Sequence, residues 1–123
     1  MALTKYQIRN QINSYTRKRN NFSKNLTSYK SCLDCANKLV SHLENSVSRI
    51  SLTQDHMSRF FTINGKMVAD EELSESKEKL NNMKRELNNV IIPSINSWIS
   101  SLDSNINFLD REIRKLRRQL SSM

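Results

Sequence analysis

The most reactive side chains of this sequence belong to two cysteines and two histidines, and their spacing limits the chemistry they can do. Cys32 and Cys35 stand one helical turn apart, at the CxxC spacing with which many zinc sites begin. No second cysteine pair follows, and His42 and His56 occur at no ligand spacing from the first. We therefore interpret the cysteines as reduced thiols beside a helix seam, and we predict no metal and no cofactor.

Catalytic arrangements cannot be assembled from the remaining polar residues either. The chain has one glycine, Gly65, so it has no glycine-rich loop that could cradle a phosphate. The acidic residues are scattered along helical faces, and none forms a nucleophile–base pattern with a histidine or a cysteine. The sequence predicts a protein that is not an enzyme.

The elements that carry these residues are long helices with one interruption near the midpoint of the 123 residues. Asn64-Gly65 is a strong turn dipeptide, since glycine reaches positive φ without steric cost. Asp70 suits the N-terminus of a following helix. The sequence predicts one all-α domain, 1–123, an antiparallel two-helix hairpin. Helix 1 covers about 4–61, the turn about 62–69 with Ile63, Asn64 and Gly65, and helix 2 about 70–121.

In the first helix, apolar residues recur in alternating steps of four and three from Ile8 to Ile50, with a mean step of 3.5. This heptad spacing is typical of a left-handed coiled coil. Arg19 is the one charged residue in the row. Either its side chain extends past the seam into water, or it pairs with an acid of a partner and sets the register.

In the second helix, the apolar row from Leu80 to Leu120 has a mean step near 3.64, which suits a straight helix with stutters. Met83 and Trp98 belong to this row. Pro93 lies inside it, and a proline removes one helical hydrogen bond and clashes with the preceding turn. A kink or short break near Ile91 is therefore expected, and a full break would give three helices.

Two helices bury a seam rather than a thick core, so we expect a helical partner protein, or a second copy in a homodimer, to complete the bundle. The predicted partner interface takes apolar residues from both rows. They are Ile12, Tyr15, Phe22, Leu26, Tyr29, Leu33, Trp98, Leu102, Leu109, Ile113 and Leu116.

The charge distribution adds a second feature to this interface. The net charge is +8, and residues 1–30 carry seven bases and no acid. A hairpin would bring these bases beside the basic C-terminal tail, where they would attract an acidic partner. The predicted basic end comprises Arg17, Lys18, Arg19, Arg114, Lys115, Arg117 and Arg118.

Two alternatives to a protein-binding function stay open. Nucleic acid is one, because a positive patch is how such binding begins, although no signature of a nucleic-acid-binding fold occurs. A structural coiled-coil subunit that needs no partner is the other. No apolar run reaches the ~18 residues of a membrane span, and the first ten residues lack a signal-peptide core. We expect a cytoplasmic protein, or one exported without a cleavable signal.

The sequence resembles the WXG (ESX) superfamily of type VII secretion, whose members are small helical hairpins with Trp-x-Gly at the turn. Here Ile63-Asn64-Gly65 stands in place of that triplet, with isoleucine replacing tryptophan. Phe108 and Glu112 match the aromatic residue followed four positions later by an acid, which forms part of the superfamily's export signal.

A closer similarity is to the small helical proteins encoded beside LXG toxins in Gram-positive bacteria. Those proteins bind the N-terminal helical domain of the toxin as targeting partners or chaperones. The resemblance therefore implies a turn role for Ile63 and Gly65, an export-signal role for Phe108 and Glu112, and an LXG-type toxin as the partner.

Overall fold

The computed structural model describes the backbone of residues 3–60 and 63–123, and the side chains of residues 3–58 and 69–123. Helix α1 spans Lys5–Phe60, α2 spans Ile63–Glu86, a π-helical turn spans Leu87–Ile91, and α3 spans Ile92–Ser121. No strand occurs in these described ranges, which confirms the predicted all-α class. None of the helices found in them is long and apolar enough to cross a membrane.

A capping box starts α1. The backbone N–H of Gln7 donates to Oγ1 of Thr4 at 3.1 Å, and the backbone N–H of Thr4 donates to Oε1 of Gln7 at 2.9 Å. The two side chains thus satisfy two backbone donors that would otherwise lack a partner at the helix N-terminus. The helix therefore begins within a residue of its predicted start.

The chain forms two compact units: unit 1 consists of Met1–Cys32 and Ile95–Met123, and unit 2 of Leu33–Ser94. In unit 1, Arg19 contacts Asp110 and Tyr29 lies beside Trp98. Arg19 precedes Tyr29 along α1, whereas their partners follow the opposite order along α3, because Asp110 comes after Trp98. The two helices of unit 1 are therefore antiparallel. The buried apolar residues of unit 1 are Ile8, Ile95, Leu102, Ile106, Leu109, Ile113 and Leu116.

Unit 2 also contains antiparallel helices, and hydrogen bonds and an ion pair link them. Gln54 donates to Ser74, Lys77 donates to Ser51, and Lys84 pairs with Glu44. From one contact to the next, the residue number falls along α1 by as much as it rises along α2, as expected for antiparallel helices. The buried apolar residues of unit 2 are Ala36, Leu43 and Leu87.

The predicted turn needs correction in its extent. Helix α2 begins at Ile63, so the backbone of Asn64 and Gly65 is already helical and Asp70 lies inside the helix rather than at its cap. No residue with positive φ occurs in the described backbone. The residues after Gly65 include Lys66, Met67 and Ala69, which are strong helix formers and favour an early start. Residues 61 and 62, and the side chains of the predicted turn, lie outside the described residues.

Of the kink or break expected near Pro93, the full break into a third separate helix does not occur. The backbone is helical from Ile63 through Ser121, with a π-helical turn just before the proline. There the N–H of Ile92 donates to the carbonyl of Leu87, five residues earlier. A proline ring clashes with the carbonyl four residues before it, and the wider π turn accommodates that clash without ending the helix.

The π turn also explains the irregular spacing of the second apolar row. In α2 the less exposed positions follow steps of four and three through Leu80, Lys84 and Leu87. In α3 the same steps run through Ile95, Ile99 and Leu102, displaced by one residue because the π turn contains one extra. The sequence-based row used one average step over its whole length and so did not locate the single inserted residue. It therefore assigned Met83 and Trp98 to the seam, but both side chains are exposed in the structure.

Candidate functional site

The predicted partner interface lies almost entirely in unit 1, where it divides into two groups. Leu102, Leu109, Ile113 and Leu116 are buried in the core of the unit. The α1 residues are only half-buried, and they are Ile12, Tyr15, Phe22, Leu26 and Tyr29. Leu33 belongs to unit 2 and is also half-buried. Within the seam of unit 1, the apolar side chains that stay partly exposed therefore lie mainly on the α1 side.

An aromatic pair extends this surface. The rings of Tyr29 and Trp98 lie with their centroids 5.6 Å apart and their planes tilted by 42°. Trp98 is 52% exposed although it belongs to the largest apolar side-chain type. A tilted pair at this distance is attractive, and it holds the indole in one place while most of the ring faces water. Exposed, pre-positioned tryptophans are typical anchors of protein interfaces.

Arg19 satisfies its charge within unit 1. Its Nε donates to Oδ1 of Asp110 at 3.0 Å, and the two side chains are 37% and 34% exposed. Arg19 therefore has an acidic partner within its own unit through Nε, an arrangement that neither interpretation of the sequence included, while more than a third of its side chain stays exposed. The ion pair fixes the guanidinium beside α3.

A groove of about 440 Å³ opens around this ion pair. Each helix supplies residues at helical spacing, which places them on one face. The residues that line it are Thr16, Arg19, Asn20, Asp110, Ile113, Arg114 and Arg117. We call this feature the arginine groove. Three of the seven predicted basic-end residues line it, and they come from both helices of unit 1.

The arginine groove has more positive than negative charge. Arg19 is balanced by Asp110, and Nε of Arg114 donates to the backbone carbonyl of Asp110 at 3.4 Å. Within the described part of the chain, Arg117 has no hydrogen bond or ion pair, so its guanidinium retains all its donors. Three guanidinium groups against one carboxylate leave two positive charges at the groove.

The remaining predicted basic-end residues lie outside the groove. Arg17, Lys18, Lys115 and Arg118 are exposed. Nζ of Lys115 lies 3.2 Å from Oε1 of Glu112, one helical turn before it. Exposed ion pairs of this kind contribute little to stability, so these residues define a charged surface rather than a site.

The residues that match the export motif are accessible on α3. Phe108 is exposed, and Glu112 is half-buried with Lys115 beside its carboxylate. Neither contributes to the core of unit 1. Their role in export stays a prediction, as does the turn role of Ile63, Asn64 and Gly65.

The cysteines do not form a site with neighbouring groups. Cys32 and Cys35 are free and exposed. Next to them, Oδ2 of Asp34 lies 3.0 Å from Nζ of Lys38, and this hydrogen bond raises the pKa of Lys38. Across the described residues, no group of three or more His, Cys, Asp or Glu side chains is placed to hold a metal ion.

Sequence reasoning missed two features. It did not identify Asp110 as the partner of Arg19, although an acid in the second apolar region was a visible signal. It also missed Lys77 and Lys84, which occupy seam positions of unit 2, because only apolar residues were counted toward the row. The 4–3 spacing from Leu73 to Leu87 would have found both lysines.

Comparisons with known proteins do not identify a function for these surfaces. No protein-family model matches the chain, and no curated protein or solved structure matches it significantly. The exposed aromatic pair and the arginine groove of unit 1 are thus the features from which we infer a function.

Proposed function

We propose that this protein is a non-enzymatic interaction protein, a coiled-coil-like helical hairpin that binds a helical domain of another protein. The observation that carries the proposal is the uneven burial of unit 1. Its α3 row is mostly buried, whereas the opposing α1 row after Ile8 is only partly buried at Ile12, Tyr15, Phe22, Leu26 and Tyr29. Apolar side chains that remain partly exposed gain free energy when another helix covers them, by ~25 cal/mol per Å².

Trp98 supports a protein partner over a purely structural role. About half of Trp98 stays exposed although its ring is held against Tyr29. In interfaces such rings supply much of the binding energy, with losses of about 2 kcal/mol or more on truncation. A partner helix lying over α1 and Trp98 would bury this ring and the half-exposed row together.

The identity of the partner rests on the resemblance to WXG-like proteins. We propose the N-terminal helical domain of an LXG-type toxin exported by type VII secretion, with this protein as its targeting partner or chaperone. The exposed Phe108 supports that assignment, because an export motif has to be reachable by the secretion machinery. The alternatives are a structural coiled-coil subunit, which would need only copies of itself, and a basic nucleic-acid-binding protein.

The test is to mix the protein with the N-terminal domain of the toxin encoded beside it, and to measure mass by size exclusion with light scattering. We expect a complex whose mass is the sum of both chains. Trp98→Ala should weaken it about 30-fold, as expected for an interface anchor. Tyr6→Ala is the matched control, since Tyr6 is an exposed aromatic of unit 1 that stands off the seam.

Two outcomes would reject this function. A protein that stays monomeric alone and in the mixture, at high concentration, does not use its surface for helix binding. A stable homo-oligomer that ignores the toxin domain would instead support the structural coiled-coil subunit.

A further inference from the structure

We infer that the arginine groove binds a carboxylate side chain, glutamate or aspartate, presented by an apolar face of a partner helix. This inference rests on the proposed function and adds to it the chemistry that the partner must carry. It starts from a property of unit 1 that helix packing alone does not explain. Two positive charges are left over at a groove between two helices, where like charges oppose folding.

The donors of the groove are arranged for an oxyanion. The Nε of Arg19 is held by Asp110 and the Nε of Arg114 by a backbone carbonyl, so the outer nitrogens of both guanidiniums have no bond in the described residues. Arg117 follows Arg114 by three residues on the same helical face, and every nitrogen of its guanidinium group is without a hydrogen bond to the described residues. Arginine forks bind carboxylates and phosphates through two parallel hydrogen bonds.

The lining of the groove favours a side-chain carboxylate over a phosphate. Besides its arginines, the groove is lined by the buried Ile113 and by Thr16. The hydroxyl of Thr16 is already used, because it donates to the carbonyl of Ile12 at 2.7 Å. An apolar side chain beside guanidiniums suits the methylene stem and charged head of a glutamate.

Size and composition also disfavour nucleic acid. The groove is open to solvent, and its volume near 440 Å³ has room for one side chain. None of the described residues that line it is aromatic, so bases would find no stacking platform there. A helix that presents an acid between apolar residues therefore fits best.

The experiment uses the full-length protein and two synthetic amphipathic helical peptides at low ionic strength. One peptide carries leucines on its apolar face with glutamates among them, and the other replaces every glutamate by glutamine. Binding is followed through the arginine Nε–Hε signals in ¹H–¹⁵N spectra. We expect the glutamate peptide to move the signals of Arg114 and Arg117, and the glutamine peptide to leave them in place.

Variants separate the groove from general positive charge. Arg117→Gln should weaken binding of the glutamate peptide about tenfold, because it removes one partner of a partly desolvated charge pair. Arg118→Gln makes the same change in charge one residue away, outside the groove, and should weaken binding less than about twofold. Arg117→Lys keeps the charge but loses the fork, and an intermediate loss is expected. Circular dichroism checks that each variant keeps its helix content.

Three results would overturn the inference: equal losses for Arg117→Gln and Arg118→Gln, equal binding of the two peptides, or tighter Arg117-dependent binding of inorganic phosphate or a short DNA duplex. The last would identify a phosphate as the occupant. Because the peptides replace the toxin, these results are independent of the proposed function. A toxin complex that tolerates Arg117→Gln would refute the groove assignment alone.

Discussion

Unit 1 and unit 2 are both built from antiparallel helices with apolar residues at alternating steps of four and three, yet they fill their seams differently. Unit 1 holds seven of the ten buried apolar residues in the described part of the chain, and unit 2 holds three. In unit 2, Lys77 and Lys84 take seam positions and reach Ser51, Gln54 and Glu44. The same helical spacing thus supports one seam that is apolar except at Arg19 and one that is more polar.

The difference teaches what each kind of seam is suited to. Apolar contacts supply free energy but tolerate several registers, whereas a polar group in a seam fixes register at a cost in stability. The contacts of Lys77 and Lys84 therefore favour one register of the helices in unit 2. Unit 1 has more buried apolar residues and an aromatic pair whose tryptophan is exposed, and it is the unit in which we place partner binding.

The largest expected effect comes from truncating equally buried leucines in the two units. Leu109 is 7% exposed and Leu43 is 6% exposed. We expect Leu109→Ala to lower the free energy of unfolding by about 3 kcal/mol, and Leu43→Ala by about 2 kcal/mol or less, because a cavity among polar, half-exposed neighbours can fill with water. Urea unfolding followed by circular dichroism measures both.

Leu52→Ala serves as the control for this pair, since Leu52 is 58% exposed and its truncation should change stability by no more than about 0.5 kcal/mol. If Leu43→Ala lowered the free energy of unfolding as much as Leu109→Ala, the two seams would differ in composition but not in how much their buried leucines stabilise the fold.

A smaller effect is expected when the seam of unit 2 is made more like that of unit 1. Nζ of Lys77 lies 3.2 Å from Oγ of Ser51 and 3.4 Å from Oε1 of Gln54. Lys77→Leu should raise the free energy of unfolding by about 1 kcal/mol, since apolar contact replaces polar groups that can turn to water. Thermal denaturation should show a midpoint about 4 °C higher.

Lys79→Leu is the matched control, because Lys79 is exposed on the same helix and should leave the midpoint unchanged. A lower midpoint for Lys77→Leu would mean that the lysine hydrogen bonds stabilise unit 2 more than apolar contact can.

The smallest effect concerns the ion pair of each unit. The Arg19–Asp110 pair is shorter than the Lys84–Glu44 pair, at 3.0 Å against 3.4 Å, and Asp110 is better shielded than Glu44. A double-mutant cycle with Arg19→Gln and Asp110→Asn should give a coupling energy of about 0.7 kcal/mol. The cycle with Lys84→Gln and Glu44→Gln should give about 0.3 kcal/mol.

Both couplings should fall at high salt, because each pair is partly exposed and therefore screened. A larger coupling for the lysine pair would show that charge pairing, and not only hydrogen-bond alignment, holds unit 2 in register.

Much of the architecture could be predicted from local pattern. Helices form through contacts between residues three and four apart, so the seam positions of α1 could be read directly from Ile8 to Ile50. Every one of them is buried or half-buried in the structure, including Arg19. The second row was less accurate, because one inserted residue at the π turn changes which later residues face inward.

The sequence by itself determined the helical class, the start of α1 and the inward face of α1, since each depends on neighbours within a turn or two. Tertiary structure decided the rest. A proline permits a kink, a break or a π turn, and only packing against other helices selects among them. Likewise Arg19 meets Asp110, and Arg114 and Arg117 share its groove, because folding brings together residues some ninety positions apart, which no local pattern encodes.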